Sequence, residues 1–361
     1  MNIVFDGTIT PRTPLAIVPP PPEDKKADRM GRLPRMPVFL DGVRHETAYI
    51  PASSIRGRLR HTAVALVIDT LKQAGKPSLT LNDYLFNALG GVFDRKDDEE
   101  DPTKGVDLTA MASVRETNPL ISLFGAMTVK LGGKLRTGMA VPRVPFEPEA
   151  INPGVRMNPF QRDPDLLQQF SADEQRQFLE TNRQRVLGNQ LKGEAKQVDL
   201  KLRRMRRENA APEQVEQLDK QRTDALARAE AAFDAAGGEV NLQQPLPGYE
   251  ALPIGLEMTH RMTLVDPTPL ELALFLATLE RFAADPRLGG HASHESGLIA
   301  AHWAVRVHDA GGGTPAGDIG IDPDKGFVAN LGHPLLQAAL QAKATMAEQL
   351  ARCIFSQPKG L

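Results

Sequence analysis

The chain has 361 residues, a formal net charge of −2 and a single cysteine, Cys353. This length suffices for one large domain or two small ones. The near-neutral balance excludes a polycation, so nucleic-acid binding would have to come from local basic patches. A single cysteine excludes a disulfide framework and a cysteine-based zinc site. Aromatic residues make up only 5% of the chain, which disfavours a binding surface built mainly on base stacking.

The N-terminal sequence, MNIVFDGTITPRTP, has no basic segment followed by an apolar one. A secretory signal peptide has both of these segments, so the N-terminal sequence does not resemble one. The longest apolar runs carry charge and are too short to span a bilayer. The sequence therefore predicts a soluble cytoplasmic protein without a membrane partner.

Residues 2–10 alternate between apolar and polar side chains, which predicts a half-buried strand. A Pro-rich charged loop follows at 11–44, with four consecutive prolines at 19–22. Proline suits neither a helix interior nor a central strand. A loop of this length is either functional or a flexible surface segment. Its carboxylates Asp24 and Asp28 are candidates for polarising a nucleophile or holding a metal, although such side chains are more often simply solvated.

Residues 50–62 read IPASSIRGRLRHT and predict a strand leading into a helix that starts near Ile55. Ser53 or Ser54 is expected to cap this helix. Gly57 in the first turn weakens the helix by about 1 kcal/mol relative to alanine, a cost that fits close approach of another backbone. Free backbone N–H groups, hydroxyls and arginines together suit phosphate oxygens. The alternative is a capped helix with solvated arginines.

Further along, an acidic run at 94–104 is expected to be solvated. Residues 128–144 predict a β-hairpin that turns at Gly132-Gly133 and carries Lys130, Lys134 and Arg136. The stretch 171–236 predicts a mostly polar helical hairpin, capped by Ser171 and Glu174 and restarted at Pro212. It is expected to be an insertion standing off the core, with a basic face that is usually just solvated.

The last third predicts a strand at 253–265, a helix at 270–284 and a strand at 298–308, with a glycine-rich loop, LGGHASHESG, before the final strand. A linker at 311–313 and a last helix at 334–354 follow. Without the insertion, the element order is βαββαβ, as in ferredoxin-like and RNA-recognition folds. The sequence predicts an α+β fold divided into 1–141, 142–252 (thumb and helical insertion) and 253–361.

The glycine-rich loop has three interpretations. Its backbone N–H groups could form a nest for phosphates, with donors from His291, Ser293 and His294. It could be a structural turn, or His291 or His294 could act as a general acid or base in a ribonuclease. A zinc site at these two histidines has little support, since no third ligand lies nearby. No phosphate-binding G-x-x-x-x-G-K-[ST] and no G-x-S-x-G motif occurs in the chain.

Three segments of the chain resemble the RAMP superfamily of CRISPR proteins. They are residues 50–60, which follow the pattern I-P-x-S-S-[IL]-[RK]-G-x-[LI]-R, then Leu123-Phe124-Gly125, and the glycine-rich loop at 289–297. The chain is most similar to the backbone subunit that polymerises along CRISPR RNA. The helical insertion, the missing zinc ligands and the acidic stretch most resemble the type IV version.

This resemblance implies an RNA-recognition-like palm with a protruding thumb within 143–160. It also implies contacts to the guide RNA backbone from residues 53–60 and from the glycine-rich loop. In type III relatives an Asp in the loop after the first strand cleaves target RNA. Here that loop lacks the expected glycine and histidine neighbours of Asp24 or Asp28, which favours a subunit that does not cut. The candidate RNA-binding residues are Ser53, Ser54, Arg56, Gly57, Arg60, Lys130, Lys134, Arg136, Arg156, Met157, Asn158, Phe160, Gly289, Gly290, His291, Ser293 and His294.

The implied partners are CRISPR guide RNA, further copies of the chain in a filament, and a large subunit and a guide-processing subunit of the effector. Target DNA or RNA would bind by pairing with the guide. No cofactor, metal or enzymatic activity is expected. Two alternatives remain: an endoribonuclease of the same superfamily, using the loop histidines or Asp24 or Asp28, and an RNA-recognition-like interaction protein without guide RNA.

Overall fold

The computed structural model describes residues 1–17, 31–40, 42–91, 107–151, 155–156, 164–208, 211–237, 244–245 and 248–357. The chain divides into two compact units, Met1–Ile151 with Gly248–Leu361, and Asn152–Pro247. The predictions for the acidic run at 94–104 and for most of the Pro-rich loop lie outside the described residues. So do those for Asp24, Asp28, Met157, Asn158 and Phe160.

The elements of both units follow in chain order. Before the second unit come β1 (Asn2–Pro11), β2 (Arg35–Leu40), β3 (Val43–Ala48), α1 (Ala52–Gln73), α2 (Leu81–Leu89), α3 (Leu108–Thr117), α4 (Pro119–Phe124), β4 (Leu135–Thr137), β5 (Val141–Pro142) and β6 (Glu149–Ile151). The second unit holds β7 (Val155–Arg156), a 3-10 helix (Pro164–Gln169), α5 (Ala172–Arg207), α6 (Pro212–Ala235) and β8 (Gln244–Pro245). The first unit resumes with β9 (Tyr249–Ala251), β10 (Met258–Val265), α7 (Pro269–Ala283), β11 (Ile299–Asp309), β12 (Gly312–Asp322), β13 (Gly326–Leu331), α8 (Pro334–Gln341) and α9 (Met346–Leu350).

The main sheet has the strand order β13-β12-β11-β1-β10-β4, with β5 also pairing with β10. All of these neighbours are antiparallel. Its four central positions, β11-β1-β10 and β4 with β5, reproduce the spatial order expected for a βαββαβ unit. The predicted α+β fold class is therefore confirmed.

Alternating side chains explain why the sheet has one buried face. In β10, Met258, Met262 and Leu264 point into the core while Arg261 is exposed, as the two-residue period of a strand requires. Helices α1 and α7 supply the opposing apolar surface, and a capping box formed by Thr268 and Glu271 starts α7. The buried residues of the sheet and these two helices belong to one continuous core.

Gly7 in β1 lies between two buried residues with large polar-tipped rings and allows the backbone of β11 to approach closely. Its register partners are His260 on β10 and Trp303 on β11. A Cβ at Gly7 would lie 1.8 Å from the carbonyl oxygen of His302. Trp303 Nε1 donates to His260 Nδ1 at 3.1 Å, and burial lowers the pKa of His260 to about 4. The imidazole is therefore neutral near pH 7 and serves as an acceptor inside the core.

Three sequence predictions about this unit are wrong. Residues 128–144 do not form a hairpin at Gly132-Gly133, because β4 pairs with β10, a strand far along the chain. The expected linker at 311–313 instead opens β12, which extends the sheet together with β13. The predicted last helix is interrupted by a 3-10 turn at Ala342–Thr345.

In the second unit, α5 and α6 form the predicted helical hairpin. Ser171 and Glu174 make a capping box at the start of α5, and Pro212 is the first residue of α6. Leu191 and Phe233 pack in the seam between the helices. Gly188 is required there, because a Cβ would lie 2.7 Å from the Phe233 ring. Among the described helices of both units, none has the length and apolar character needed to cross a membrane.

Candidate nucleic-acid interface

The start of α1 is less capped than the sequence suggested. The helix begins at Ala52 with Pro51 as its N-cap, so Ser53 and Ser54 lie inside the first turn and neither caps it. The N–H groups of Ser54 and Ile55 donate to the Pro51 carbonyl. Within the described chain the N–H groups of Ala52 and Ser53 have no acceptor. With no acidic side chain in the first turn, this helix end favours an anionic oxygen.

The three arginines after this turn differ in what they contact. Arg56 is exposed and has no ion pair with any described residue. Arg58 lies 3.6 Å from the Asp285 carboxylate and donates to the Asp285 carbonyl at 3.4 Å. Arg60 is mostly buried, donates to the Gly125 carbonyl and lies over the Phe124 ring.

These contacts give Arg60 a packing role that the sequence analysis did not predict. Burial, with a smaller effect from nearby Arg56, lowers the pKa of Arg60 to about 10, so it remains charged at neutral pH. Its guanidinium holds the Leu123-Phe124-Gly125 turn against α1. Arg56 is the arginine of this pair that faces solvent.

Gly57 lies on the same open part of α1. A Cβ at this position would meet no atom within 4 Å. Nothing in the described fold therefore requires glycine here, and the missing side chain leaves the helix surface accessible to a ligand.

The glycine-rich loop is attached to the segment that follows β1. Gly289 has a φ of +80°, and a Cβ there would lie 2.1 Å from the Ala16 carbonyl oxygen. The Gly290 N–H donates to the same oxygen at 2.9 Å, and the Gly297 N–H donates to the Pro14 carbonyl at 2.9 Å. Two of the predicted binding residues, Gly289 and Gly290, thus first serve to dock the loop.

The exposed rim of this loop carries the predicted polar donors. His291 is half-buried and stacks on Tyr249 with ring centroids 3.9 Å apart, while Ser293 and His294 are exposed. Burial, and then the neighbouring His294, lowers the pKa of His291. His291 and Glu295 both adopt left-handed backbone conformations, which non-glycine residues seldom occupy without tertiary support.

A chain of ion pairs brings the two candidate segments together. Arg58 on α1 reaches Asp285, whose carboxylate also lies 2.7 Å from Arg287 Nε. Arg287 in turn pairs with Glu295 of the glycine-rich loop, and Glu295 followed by Asp285 raises the pKa of Arg287. The carboxylates of these pairs are exposed, so the main effect of the pairs is positional rather than stabilising.

The three basic residues predicted on a hairpin occupy different environments. Lys130 is exposed in a tight turn, with a φ of +50°. Lys134 is 2.8 Å from Glu271, and both side chains are mostly or fully buried. Lys134 therefore neutralises a core carboxylate, and the RNA contact that the sequence analysis assigned to it stays a prediction. Arg136 is exposed on β4.

The structure adds two arginines that the sequence analysis did not select. Arg136 pairs in register with Thr263, next to Arg261 on the same exposed face of the sheet. Arg306 on β11 lies opposite Val4 of β1, which is opposite Thr263. Alternation alone indicates that Arg261 and Arg306 are exposed, but only the strand register places them on one face with Arg136.

The remaining predicted residues belong to the second unit. Arg156 lies in β7, where its backbone pairs with Gln244 of β8. No group of three or more His, Cys, Asp or Glu side chains suited to a metal ion occurs among the residues that the structure describes.

Fold and site together define an α+β protein with an RNA-recognition-like sheet and an open, basic, phosphate-compatible surface. No protein-family model matches the sequence, and no curated protein matches it. Among solved structures, the chain is similar to a chain of one titled "Type IV-B CRISPR Complex". The similarity covers 83% of this chain and 89% of that chain, with 16% identity and a TM-score of 0.39.

Proposed function

We propose that the protein is a non-catalytic backbone subunit that binds CRISPR guide RNA and polymerises along it, as in a type IV effector. Its partners would be the guide, further copies of itself and the other effector subunits. The sequence resemblance to the RAMP superfamily rests on residues 50–60, the Leu-Phe-Gly turn and the glycine-rich loop. The proposal extends this resemblance from three segments to the role of the subunit in a complete effector particle.

The observation that carries the proposal is the meeting of these three segments. Arg60 binds the Leu-Phe-Gly turn, and Arg58 leads through Asp285 and Arg287 to the glycine-rich loop. The buried Leu-Phe-Gly turn supports α1 from within, while the start of α1 and the rim of the glycine-rich loop are exposed. These two exposed segments are more than 200 residues apart in sequence, and their meeting supports a single extended ligand rather than separate capping and turn motifs.

The chemistry of this surface suits a sugar-phosphate backbone. Exposed Arg56, the free N–H groups of the first turn of α1 and the open Gly57 favour phosphate oxygens. Among the residues that the structure describes at these positions, none offers an exposed aromatic ring for base stacking. Binding is therefore expected to depend on phosphates and salt, and only weakly on base sequence.

The proposed lack of catalysis is supported by how His291 and the acid of this loop are held. His291 stacks on Tyr249. Glu295, the acid next to His294, is already paired with Arg287. A general acid or base must be free to reach the reacting group, and this arrangement favours positioning over proton transfer.

Sequencing the nucleic acid that copurifies with the protein tests the proposed function. We expect repeat-derived RNAs of uniform length. Incubation of the particle with complementary labelled RNA or DNA, with Mg²⁺ or Mn²⁺ present, is expected to leave the target intact. A nucleic-acid-free monomer would contradict guide binding. Discrete fragments lost in Asp24→Ala or Asp28→Ala, or in His291→Ala or His294→Ala, would instead establish an endoribonuclease.

Arg56 and Arg60 are expected to respond differently to replacement by alanine. Arg56→Ala should weaken binding of unrelated RNAs about equally and flatten the salt dependence by about one unit of slope, with little change in stability. Arg60→Ala should mainly lower stability, since the Gly125 carbonyl loses its donor. RNA titrations at several salt concentrations and urea unfolding measure the two effects. Arg352→Ala, at another exposed arginine, is the control. An Arg56→Ala defect confined to one RNA sequence would contradict the assignment.

A further inference from the structure

The helical hairpin of the second unit separates its charges between its two helices. Helix α5 contains ten Lys or Arg and five Asp or Glu residues. Helix α6 contains three Lys or Arg and six Asp or Glu residues. The seam between them is apolar, with Leu191, Ala229 and Phe233 buried, so the charges lie on the outer surfaces.

One outer face of α5 carries basic residues and no acidic ones. At 3.6 residues per turn, Lys196, Arg203, Arg204 and Arg207 lie within an arc of about 100°. No carboxylate between residues 185 and 207 shares this arc. All four side chains are exposed. Basic residues in the last turn are explained by their attraction to the negative end of the helix dipole. That attraction does not explain Lys196, which lies three turns earlier.

The existing ion pairs leave this face available. Arg203 pairs with Asp199, a partly buried carboxylate that also pairs with Arg222 of α6, and Arg204 pairs with Glu208; each arginine lies four residues from its partner on α5 or just beyond its end. Such pairs contribute little stability and are readily exchanged for a stronger anionic partner. Lys196 and Arg207 have no ion pair with any described residue.

The geometry points to double-stranded nucleic acid, bound through its phosphate backbone, as the partner of this face. The distance along the helix axis from Lys196 to Arg207 is about 16 Å. A straight cationic ridge of this length matches a stiff duplex with one charge per about 1.7 Å of axis. Between residues 185 and 207 the arc holds no aromatic ring, which disfavours a single strand that needs stacking.

A protein partner fits this face less well. Between residues 185 and 207, Leu200 and Val186 are the only large apolar side chains on the arc, whereas the fully buried core of a protein interface is mainly apolar. The acidic outer surface of α6 in a second copy remains the competing occupant, and the experiment below distinguishes it. This inference does not depend on guide binding, because the surface belongs to the second unit alone.

The test measures binding of the full chain to short mixed-sequence DNA and RNA duplexes and to the matching single strands, by fluorescence anisotropy over a range of NaCl concentrations. The variant K196Q/R203Q/R204Q/R207Q is compared with R176Q/R183Q/K220Q/R228Q, which removes equal charge elsewhere on the same hairpin. We expect the first variant to bind duplex at least about ten-fold more weakly and to flatten the salt slope by about three to four units. The second should bind nearly as the wild type does.

Guide copurification, circular dichroism and sedimentation are measured for the same variants. Unchanged helicity and unchanged copurified RNA in K196Q/R203Q/R204Q/R207Q would place the defect in duplex binding alone. The inference is overturned if the wild type does not bind duplex, if both variants lose equal affinity, or if single strands are preferred. A changed oligomeric state with unchanged duplex affinity would assign the face to a second copy instead.

Discussion

Lys134→Met is expected to lower the free energy of unfolding by about 3–5 kcal/mol, because it leaves a buried carboxylate without its cation. Lys134 Nζ lies 2.8 Å from Glu271 Oε2, and the Glu271 side chain is 2% exposed. The same oxygen accepts the Thr268 N–H at 2.7 Å in the capping box of α7. Loss of the lysine therefore affects both the core and the start of a central helix. Urea unfolding measures the effect.

The double variant Lys134→Met with Glu271→Gln is the control for this prediction. Glutamine keeps an oxygen for the Thr268 N–H while removing the charge, so most of the lost stability should return. RNA affinity per folded molecule should be unchanged in both variants. If Lys134→Met instead kept full stability and lost RNA affinity, the lysine would be an RNA contact as the sequence first suggested.

Gly289→Ala is expected to weaken RNA binding at least about ten-fold by displacing the glycine-rich loop. The new Cβ would lie 2.1 Å from the Ala16 carbonyl oxygen, at a φ of +80°. The left-handed conformation alone costs alanine about 1–2 kcal/mol. The collision should also break the hydrogen bond from the Gly290 N–H to the same oxygen. RNA titration and thermal unfolding of the same samples measure binding and stability.

Gly57→Ala is the matched control for stability alone, since it makes the same chemical change in open space but lies in the proposed interface. It should raise helix stability by about 0.5–1 kcal/mol. Equal destabilisation by both substitutions would contradict the assigned packing. Unchanged RNA affinity in Gly289→Ala, with a demonstrably folded protein, would remove the glycine-rich loop from the proposed interface.

Local patterns in the sequence predicted much of the first unit. The apolar spacing of Ile55, Leu59 and Leu71 marks the buried face of α1. The helix predicted at 270–284 corresponds to α7, which begins at Pro269. These signals depend on residues within one or two turns of each other, so they can be interpreted without knowing the partner element.

The same patterns failed where pairing is long-range. Residues 128–144 have hairpin-like alternation around two glycines, yet β4 pairs with β10. A sequence period identifies a strand but not its neighbour, since any antiparallel partner with a complementary face satisfies it. The sequence analysis did not predict strands β12 and β13. The glycines of β12 interrupt its alternation of apolar and polar residues, and a glycine-rich stretch is typical of a linker.

For the candidate interface too, the sequence predicted one part and the tertiary structure decided another. The sequence by itself determined the segments that contribute: the basic start of α1, the Leu-Phe-Gly turn and the glycine-rich loop are visible as residue types at short spacing. Only the tertiary structure decided what each cation contacts. Arg60 and Lys134 are partly or largely buried against a carbonyl and a carboxylate, while Arg56 stays exposed. Strand register alone brings Arg261 and Arg306 to the face of Arg136, because side-chain environment is set by contacts between residues distant in sequence.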